Sequence, residues 1–334
     1  MEPYPLRPEP LLKPRVWGGR ELERLGKALP KGEAIGESWE LADLPDSIEN
    51  GRNVIANGAL RGQTLREAVS GHGEQIMGSA RVTEEGGFPL LIKYLDARQN
   101  LSVQVHPTRE YVARHPEAHL KSEAWVIIDA EPGAVIYKGV KPDVTPEAFA
   151  RHVRTDEAVD DLVEVPVKRG ECHYLPSGTC HALGAGIIVA EVQTPSDTTF
   201  RVYDWGRTGR ELHIDQALEC IRFGEEPMQQ AEAQPPIEVE GMRTTRLVET
   251  EYFAIERIQA LKAAGLEVVT NGLPVVWMVT QGGAVIRGGG LEERPAAGST
   301  LLMPAALSDG EAHLEEGCEV LVVSLPSPLR GMIA

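Results

Sequence analysis

Residues 101–106, Leu-Ser-Val-Gln-Val-His, carry a polar side chain at every second position of a segment that otherwise favours strand. Ser102, Gln104 and His106 therefore share one strand face. A half-buried strand normally turns apolar side chains inward, so such a face is either the solvent side of an edge strand or the wall of a polar cavity. Two further residues bear on the choice: Glu123, which shares a face with Lys121 and Trp125 in the strand-like run 121–129, and His181, just after the turn Pro176-Ser177-Gly178-Thr179. A metal site needs three or four ligands brought together by the fold, with an open position if it is catalytic, and Gln, His, Glu and His are suitable donor types. Each alone is ordinary, since a single His near an apolar strand is commonly a hydrogen-bonded core or surface residue. Gathered on adjacent short strands, they describe a site at the mouth of a β-barrel.

The elements that would position these residues are short. Residues 1–60 are rich in Pro, Gly and aromatic residues, with strand-and-turn character at 15–19 and 35–41. Thr64 is a candidate N-cap for a small helix over 64–77, with Leu65, Ala68 and Val69 on one side. Residues 88–96 read as a buried strand carrying one basic residue, Lys93. A short helix capped by Thr108 is expected to run to about Ala118, and Thr145-Pro146-Glu147 opens a second expected over 146–162. Residues 163–205 then break into short strands at Arg169-Gly170, Pro176-Ser177-Gly178 and Gly184-Ala185-Gly186, the rhythm of an antiparallel barrel or sandwich. The polar, Pro-containing stretch 225–237 is the candidate linker. Beyond it, strands are expected at 274–280, 283–287, 299–303 and 319–324. This C-terminal part holds one histidine, His313, and no cluster of ligand-type residues, so it reads as a second barrel that packs and stabilises.

Composition narrows the function. The chain has 334 residues, 42% hydrophobic and 25% charged, enough for one long domain or two ordinary ones. No stretch approaches the roughly eighteen consecutive apolar residues that span a bilayer, and the start MEPYPLRPEP lacks the order of a signal peptide, so a cytoplasmic protein is expected. The four cysteines are spread out with no CxxC, which favours reduced thiols. A net charge of −17 and the lack of a Lys/Arg run argue against nucleic acid as a partner. A small anion remains compatible if a few cations converge locally. The oligomeric state is left open.

Several separated stretches also carry a resemblance: Phe88-Pro89-Leu90-Leu91-Ile92-Lys93, Leu101 to Pro107, Lys121-Ser122-Glu123, Leu175 to Ala182, and Ser196-Asp197-Thr198-Thr199-Phe200-Arg201. In this order, across residues 14–215, the chain resembles the type I mannose-6-phosphate isomerases, zinc enzymes of the cupin superfamily. The resemblance implies a mainly β fold of two cupin-type jelly-roll barrels with a few short helices. The short segment between Lys121 and His181 leaves no room for the large helical insertion of longer members, as in the compact bacterial form. It further implies a catalytic domain over 1–230, a structural β-domain over 238–334, and one Zn2+ per chain on Gln104, His106, Glu123 and His181. Lys121, Arg201 and Glu191 match catalytic positions, and Ser102, Lys93, Trp17, Glu37 and Asp197 match positions near the substrate. His173 falls where the family has a bulky apolar residue and is read as incidental, and Cys180 as a small core residue.

The implied reaction interconverts D-mannose 6-phosphate and D-fructose 6-phosphate through an enediol. Two imidazoles, an amide and one carboxylate would leave zinc a formal charge of about +1, suited to polarising sugar oxygens. Glu191 lies in an apolar strand, where burial should raise its pKa and improve it as a proton acceptor. Alternatively it pairs with Lys121 or Arg201 and only organises them, leaving Lys121 or a water on the zinc as base. Arg201, Lys121 and Lys93 form the local cationic cluster a phosphate requires. Arg207 and Arg210 are expected in solvent. Two rivals stand beside this: a metal-dependent cupin acting on another sugar, and a sugar-binding barrel without turnover.

Overall fold

The structure is a computed structural model and describes residues 2–225 and 233–326. Most of the expected linker 225–237 lies outside the described residues. In the N-terminal part the strands are β1 (Leu11–Gly19), β2 (Ile35–Leu41), β3 (Leu91–Ala97), β4 (Val103–Val105), β5 (Glu123–Ala130), β6 (Val135–Val140), β7 (Leu162–Pro166), β8 (Cys172–Leu175), β9 (His181–Leu183), β10 (Ile187–Gln193) and β11 (Phe200–Tyr203). They form a six-stranded sheet ordered β1-β2-β3-β10-β5-β8 and a five-stranded sheet ordered β11-β4-β9-β6-β7. This is the expected mainly β, cupin-type architecture.

The C-terminal part repeats the plan with β12 (Ile237–Val239), β13 (Met242–Glu249), β14 (Ala254–Ala260), β15 (Ala264–Glu267), β16 (Val275–Gln281), β17 (Ala284–Gly288), β18 (Leu291–Glu293), β19 (Thr300–Met303), β20 (Glu311–Leu314) and β21 (Glu319–Ser324). Their sheets are ordered β12-β13-β14-β21-β16-β19 and β15-β20-β17-β18. The strands expected at 274–280, 283–287, 299–303 and 319–324 are β16, β17, β19 and β21 within a residue or two.

Strand alternation gives the N-terminal six-stranded sheet two different faces. Ile92, Tyr94, Ala124, Val126, Ala190 and Val192 turn outward and join one core with Ile255, Met278, Leu302 and Leu321 of the C-terminal part. Tyr94 also donates to the carbonyl of Val279 at 3.3 Å. The two barrels therefore share a core along their large sheets, which holds the N-terminal sheet flat-backed against a second layer. The inner face carries the intervening residues. Cross-strand register sets them in rows: Lys93, Glu191, Trp125 and His173 in one, Gln193, Glu123 and Leu175 in the next.

Helices α1 (Leu65–Met77), α2 (Arg109–Val112), α3 (Pro146–His152) and α4 (Ile214–Cys220) are peripheral. Thr64 caps α1 through a capping box with Glu67, Thr108 caps α2 and Thr145 caps α3, as expected from sequence. Two expected helices are shorter than predicted. The segment after α2 stops short of Ala118 because His115 precedes Pro116, and a residue before proline is driven from the helical region. The segment 146–162 ends its helix at His152, makes a separate 3-10 turn over Asp156–Val159 capped by Thr155, and enters β7 at Leu162. There, pairing of β7 with β6 outweighs helical continuation. The four cysteines are all free and buried, Cys180 within the outer core of the five-stranded sheet.

Candidate metal centre and the pocket around it

The stretch 101–106 becomes the wall of a polar interior. Val103 and Val105 are fully buried in the cluster beneath α3 and α4, which turns Gln104 to the barrel interior. Register then places Arg201 of β11, Gln104 of β4, His181 of β9 and Lys138 of β6 in one inward row across the five-stranded sheet. Glu123 opens β5 on the facing sheet. The turn ending in Gly178, whose φ of +86° suits glycine, donates its N–H to the carbonyl of His106 at 3.1 Å and so fixes the approach of His181 to His106.

His106, Glu123 and His181 converge, each 1% exposed or less, with one donor atom apiece inside a 4.8 Å group. The Nδ1 of His106 lies 3.1 Å from the carbonyl oxygen of Thr198, and the Nδ1 of His181 lies 2.8 Å from that of Thr179. A carbonyl only accepts, so both Nδ1 atoms carry hydrogen and both Nε2 atoms present lone pairs. Those lone pairs face Glu123, His106 Nε2 at 3.4 Å from Oε2 and His181 Nε2 at 3.1 Å from Oε1. Among the described residues His106 Nε2 and Glu123 Oε1 are buried without a hydrogen-bond partner. Three acceptors turned on one point fit a cation held between them, and the backbone carbonyls behind the two imidazoles fix the ring orientation a metal ligand needs.

Gln104 completes the group, its Nε2 lying 3.3 Å from His181 Nε2 and its Oε1 accepting from Ser102 Oγ at 3.3 Å. Half a turn of the amide presents its oxygen to the same point. Lys121 Nζ is 2.8 Å from Glu123 Oε2. Burial drives Glu123 towards its neutral form, but the Lys121 ammonium and His106 overcome this and hold the carboxyl well below the usual range. Burial and the Lys121 charge push His106 down to about 3, leaving a neutral imidazole. Burial disfavours the Lys121 ammonium, yet Glu123 and Glu191 raise its pKa overall.

Beside this group Glu191 is engaged from two sides. Lys93 Nζ lies 3.0 Å from its Oε1, and the indole Nε1 of Trp125 donates to its Oε2 at 2.9 Å. The cation at Glu191 is thus Lys93, rather than the Lys121 or Arg201 considered from sequence. Glu37 is buried, accepting from Arg15 Nε at 2.7 Å and from Trp39 Nε1 at 2.6 Å, with Lys93 at 3.8 Å. Burial would raise its pKa, but Lys93 and then Arg15 bring it down to about 2. Trp17 packs in the apolar interior of the barrel with Leu95 and Trp125, its ring lying where a side chain at Gly36 would stand.

Arg201 shares its face with Gln104 and donates from Nη1 to the carbonyl of Glu211 at 2.7 Å, while its Nε is buried without a hydrogen-bond partner. Arg207 and Arg210, expected in solvent, are instead half-buried and both grip the buried Asp204. Asp197 is exposed, its carbonyl accepting from Thr199 at 3.5 Å.

Sequence reasoning missed three features. Lys138 projects inward beside His181, 2% exposed, with Nζ unpartnered and its pKa lowered by burial to about 8. His173, read as incidental, lies in the inner row next to Trp125, with Nε2 3.4 Å from Glu171. Trp125 was placed on the Glu123 face but given no role. The alternation of Ile136 and Lys138 in β6 was the signal available for the first of these.

Residues 7–129 match the model of the phosphomannose isomerase type I catalytic domain. The chain is 35% identical over 331 residues to the mannose-6-phosphate isomerase ManA of Bacillus subtilis, covering 97% of this chain and 100% of that protein. It is 33% identical to the mannose-6-phosphate isomerase of Streptococcus mutans, covering 90% and 93% of the two chains. The crystal structure of the mannose 6-phosphate isomerase from Bacillus subtilis superimposes with a TM-score of 0.85 at 27% identity, covering 96% of this chain and 99% of that one.

Proposed function

From the fact that this chain belongs to the type I phosphomannose isomerases, an enzyme family, we propose that it interconverts D-mannose 6-phosphate and D-fructose 6-phosphate through an enediol, with one zinc ion per chain. The observation that carries the metal assignment is the meeting of the His106 and His181 Nε2 lone pairs with the buried carboxylate of Glu123, one donor atom from each residue within a 4.8 Å group. Gln104, His106, Glu123 and His181 would hold the zinc, which supplies a Lewis acid for the carbonyl and hydroxyl oxygens at C1 and C2.

The chain's own groups move the protons. Glu191 Oε1 takes the proton from C2 of the open-chain aldose, the C2–H electron pair becomes the C1–C2 double bond, and the C1 oxygen receives a proton from Lys121. Return of the carbon proton to C1, with loss of the C2 hydroxyl proton to Lys121, gives the ketose. Lys93 Nζ, 3.0 Å from Glu191 Oε1, orients that oxygen for the two transfers. Arg201, turned inward beside Gln104 with a buried Nε that has no hydrogen-bond partner among the described residues, would fork the phosphate. Ser102, Trp17, Glu37 and Asp197 are assigned to the substrate side of the pocket. Residues 1–230 form the catalytic unit in this reading, and 238–334 back its large sheet through the shared core.

Turnover of mannose 6-phosphate beside that of unphosphorylated mannose tests the reading. A preference of about 100-fold or more in kcat/KM for the phosphate is expected from charge-assisted contacts. Equal turnover of the two sugars would assign the barrel to another sugar chemistry.

A further inference from the structure

The inner row of the large sheet sets Trp125 directly between Glu191 and His173 in cross-strand register. Its indole meets two different functional groups. The Nε1–H donates to Glu191 Oε2 at 2.9 Å, and the ring stands edge-on to the imidazole of His181, with centroids 5.4 Å apart and planes at 80°. The side chain is 1% exposed and packed among Leu95, Leu175 and Val189, so its orientation is fixed by the core. Of the two carboxylate oxygens, Oε2 is occupied by this bond, whereas Oε1 is buried and faces the Lys93 ammonium at 3.0 Å.

We propose that Trp125 is a positioning residue: its N–H anchors Oε2 of Glu191 and thereby makes Oε1 the working oxygen, while its ring braces His181 at a fixed distance from that oxygen. One rigid, buried side chain thus ties the proton-transferring carboxylate to the metal-binding histidine. The inference rests on the reading of Glu191 as the base. An anchored carboxylate loses rotational freedom about its terminal torsion before substrate arrives, which lowers the barrier to transfer without changing how the sugar phosphate binds.

A double-mutant cycle tests this with Trp125→Phe, which keeps an aromatic ring against His181 and deletes the donor. Zinc content and KM for mannose 6-phosphate are expected within about twofold of wild type, and kcat is expected to fall roughly ten-fold, the scale of one hydrogen bond to a charged group. In the Glu191→Gln background the same substitution is expected to cost nothing further, because the group it positions is already disabled. A wild-type kcat for Trp125→Phe beside an impaired Glu191→Gln, or losses that multiply in the double variant, would overturn the positioning role and leave the base assignment intact. A Glu191→Gln enzyme with full kcat would instead remove the base assignment. Should Trp125→Phe not fold, the indole N–H resonances of the five tryptophans decide. One solvent-protected signal that moves in Glu191→Gln and not in Arg201→Ala supports the bond, and an unchanged set overturns it.

Discussion

Glu123 Oε1 lies 3.1 Å from His181 Nε2, and both atoms are acceptors, since the carbonyl of Thr179 fixes the imidazole hydrogen on Nδ1. Such a contact is repulsive until a cation or an added proton lies between the two. His106 Nε2 turns a third lone pair on the same carboxylate at 3.4 Å, and one cation satisfies all three groups where a single shared proton satisfies two. Glu123→Gln keeps the shape of the side chain and removes the charge. It is expected to lower zinc affinity by more than the roughly 10–100-fold that outer partners of a metal site command, and to lower kcat with it. Competition with a chromophoric chelator measures the affinity; an unchanged value would place the metal elsewhere.

Arg201→Ala removes an inward guanidinium whose Nε has no hydrogen-bond partner among the described residues. The kcat/KM for mannose 6-phosphate is expected to fall roughly 30–100-fold, the scale of a charge-assisted contact, with a smaller loss for Arg201→Lys. Steady-state kinetics in both directions check this. A near wild-type value for Arg201→Ala would detach Arg201 from substrate.

Glu37 has a pKa of about 2 in the folded protein against 4.5 for the free side chain. Its folded value is depressed, so its contribution to stability is present above about pH 4.5 and is lost as pH falls towards 2. The full contribution is on the order of 3 kcal/mol. Denaturant midpoints for Glu37→Gln between pH 5 and 3 are expected to fall less steeply than for wild type. Parallel curves would show that Glu37 titrates alike in both states.

Lys138 presents the opposite case, a buried ammonium with no hydrogen-bond partner among the described residues and a pKa lowered to about 8. Below pH 8 the fold bears the cost of a buried charge, and between about 8 and 10.5 the unfolded chain binds more protons, so stability rises with pH. Lys138→Met is expected to stabilise the chain at pH 7 by about 1–3 kcal/mol and to flatten that alkaline rise. A loss of similar size in urea titrations would mean that Nζ has a partner in solution.

The polar face of Ser102, Gln104 and His106 was legible because a strand period of two is strict, and Val103 and Val105 settle its direction by their burial. Glu123 and His181 were legible as donor types, though only the register of β4 with β9 brings Gln104 and His181 together. Pairing across strands was not legible: Lys93 meets Glu191 because β3 and β10 are neighbours in the sheet despite lying far apart in the chain. The same holds for Trp125, which shared a strand face with Glu123 in the sequence but had no role until β10 supplied its acceptor. The grip of Arg207 and Arg210 on Asp204 was hidden by a Gly-broken loop whose sequence resembles a solvated one. The shared core between the two large sheets was equally hidden, since a strand buried on both faces shows no alternation.

Turnover is proposed to depend on one zinc held by Gln104, His106, Glu123 and His181. Elemental analysis of the purified chain, repeated after chelation and after return of zinc, with mannose 6-phosphate turnover followed at each stage, tests it most directly. One zinc per chain, loss of turnover with the metal and recovery on its return are predicted. Full turnover by metal-free protein would contradict the account.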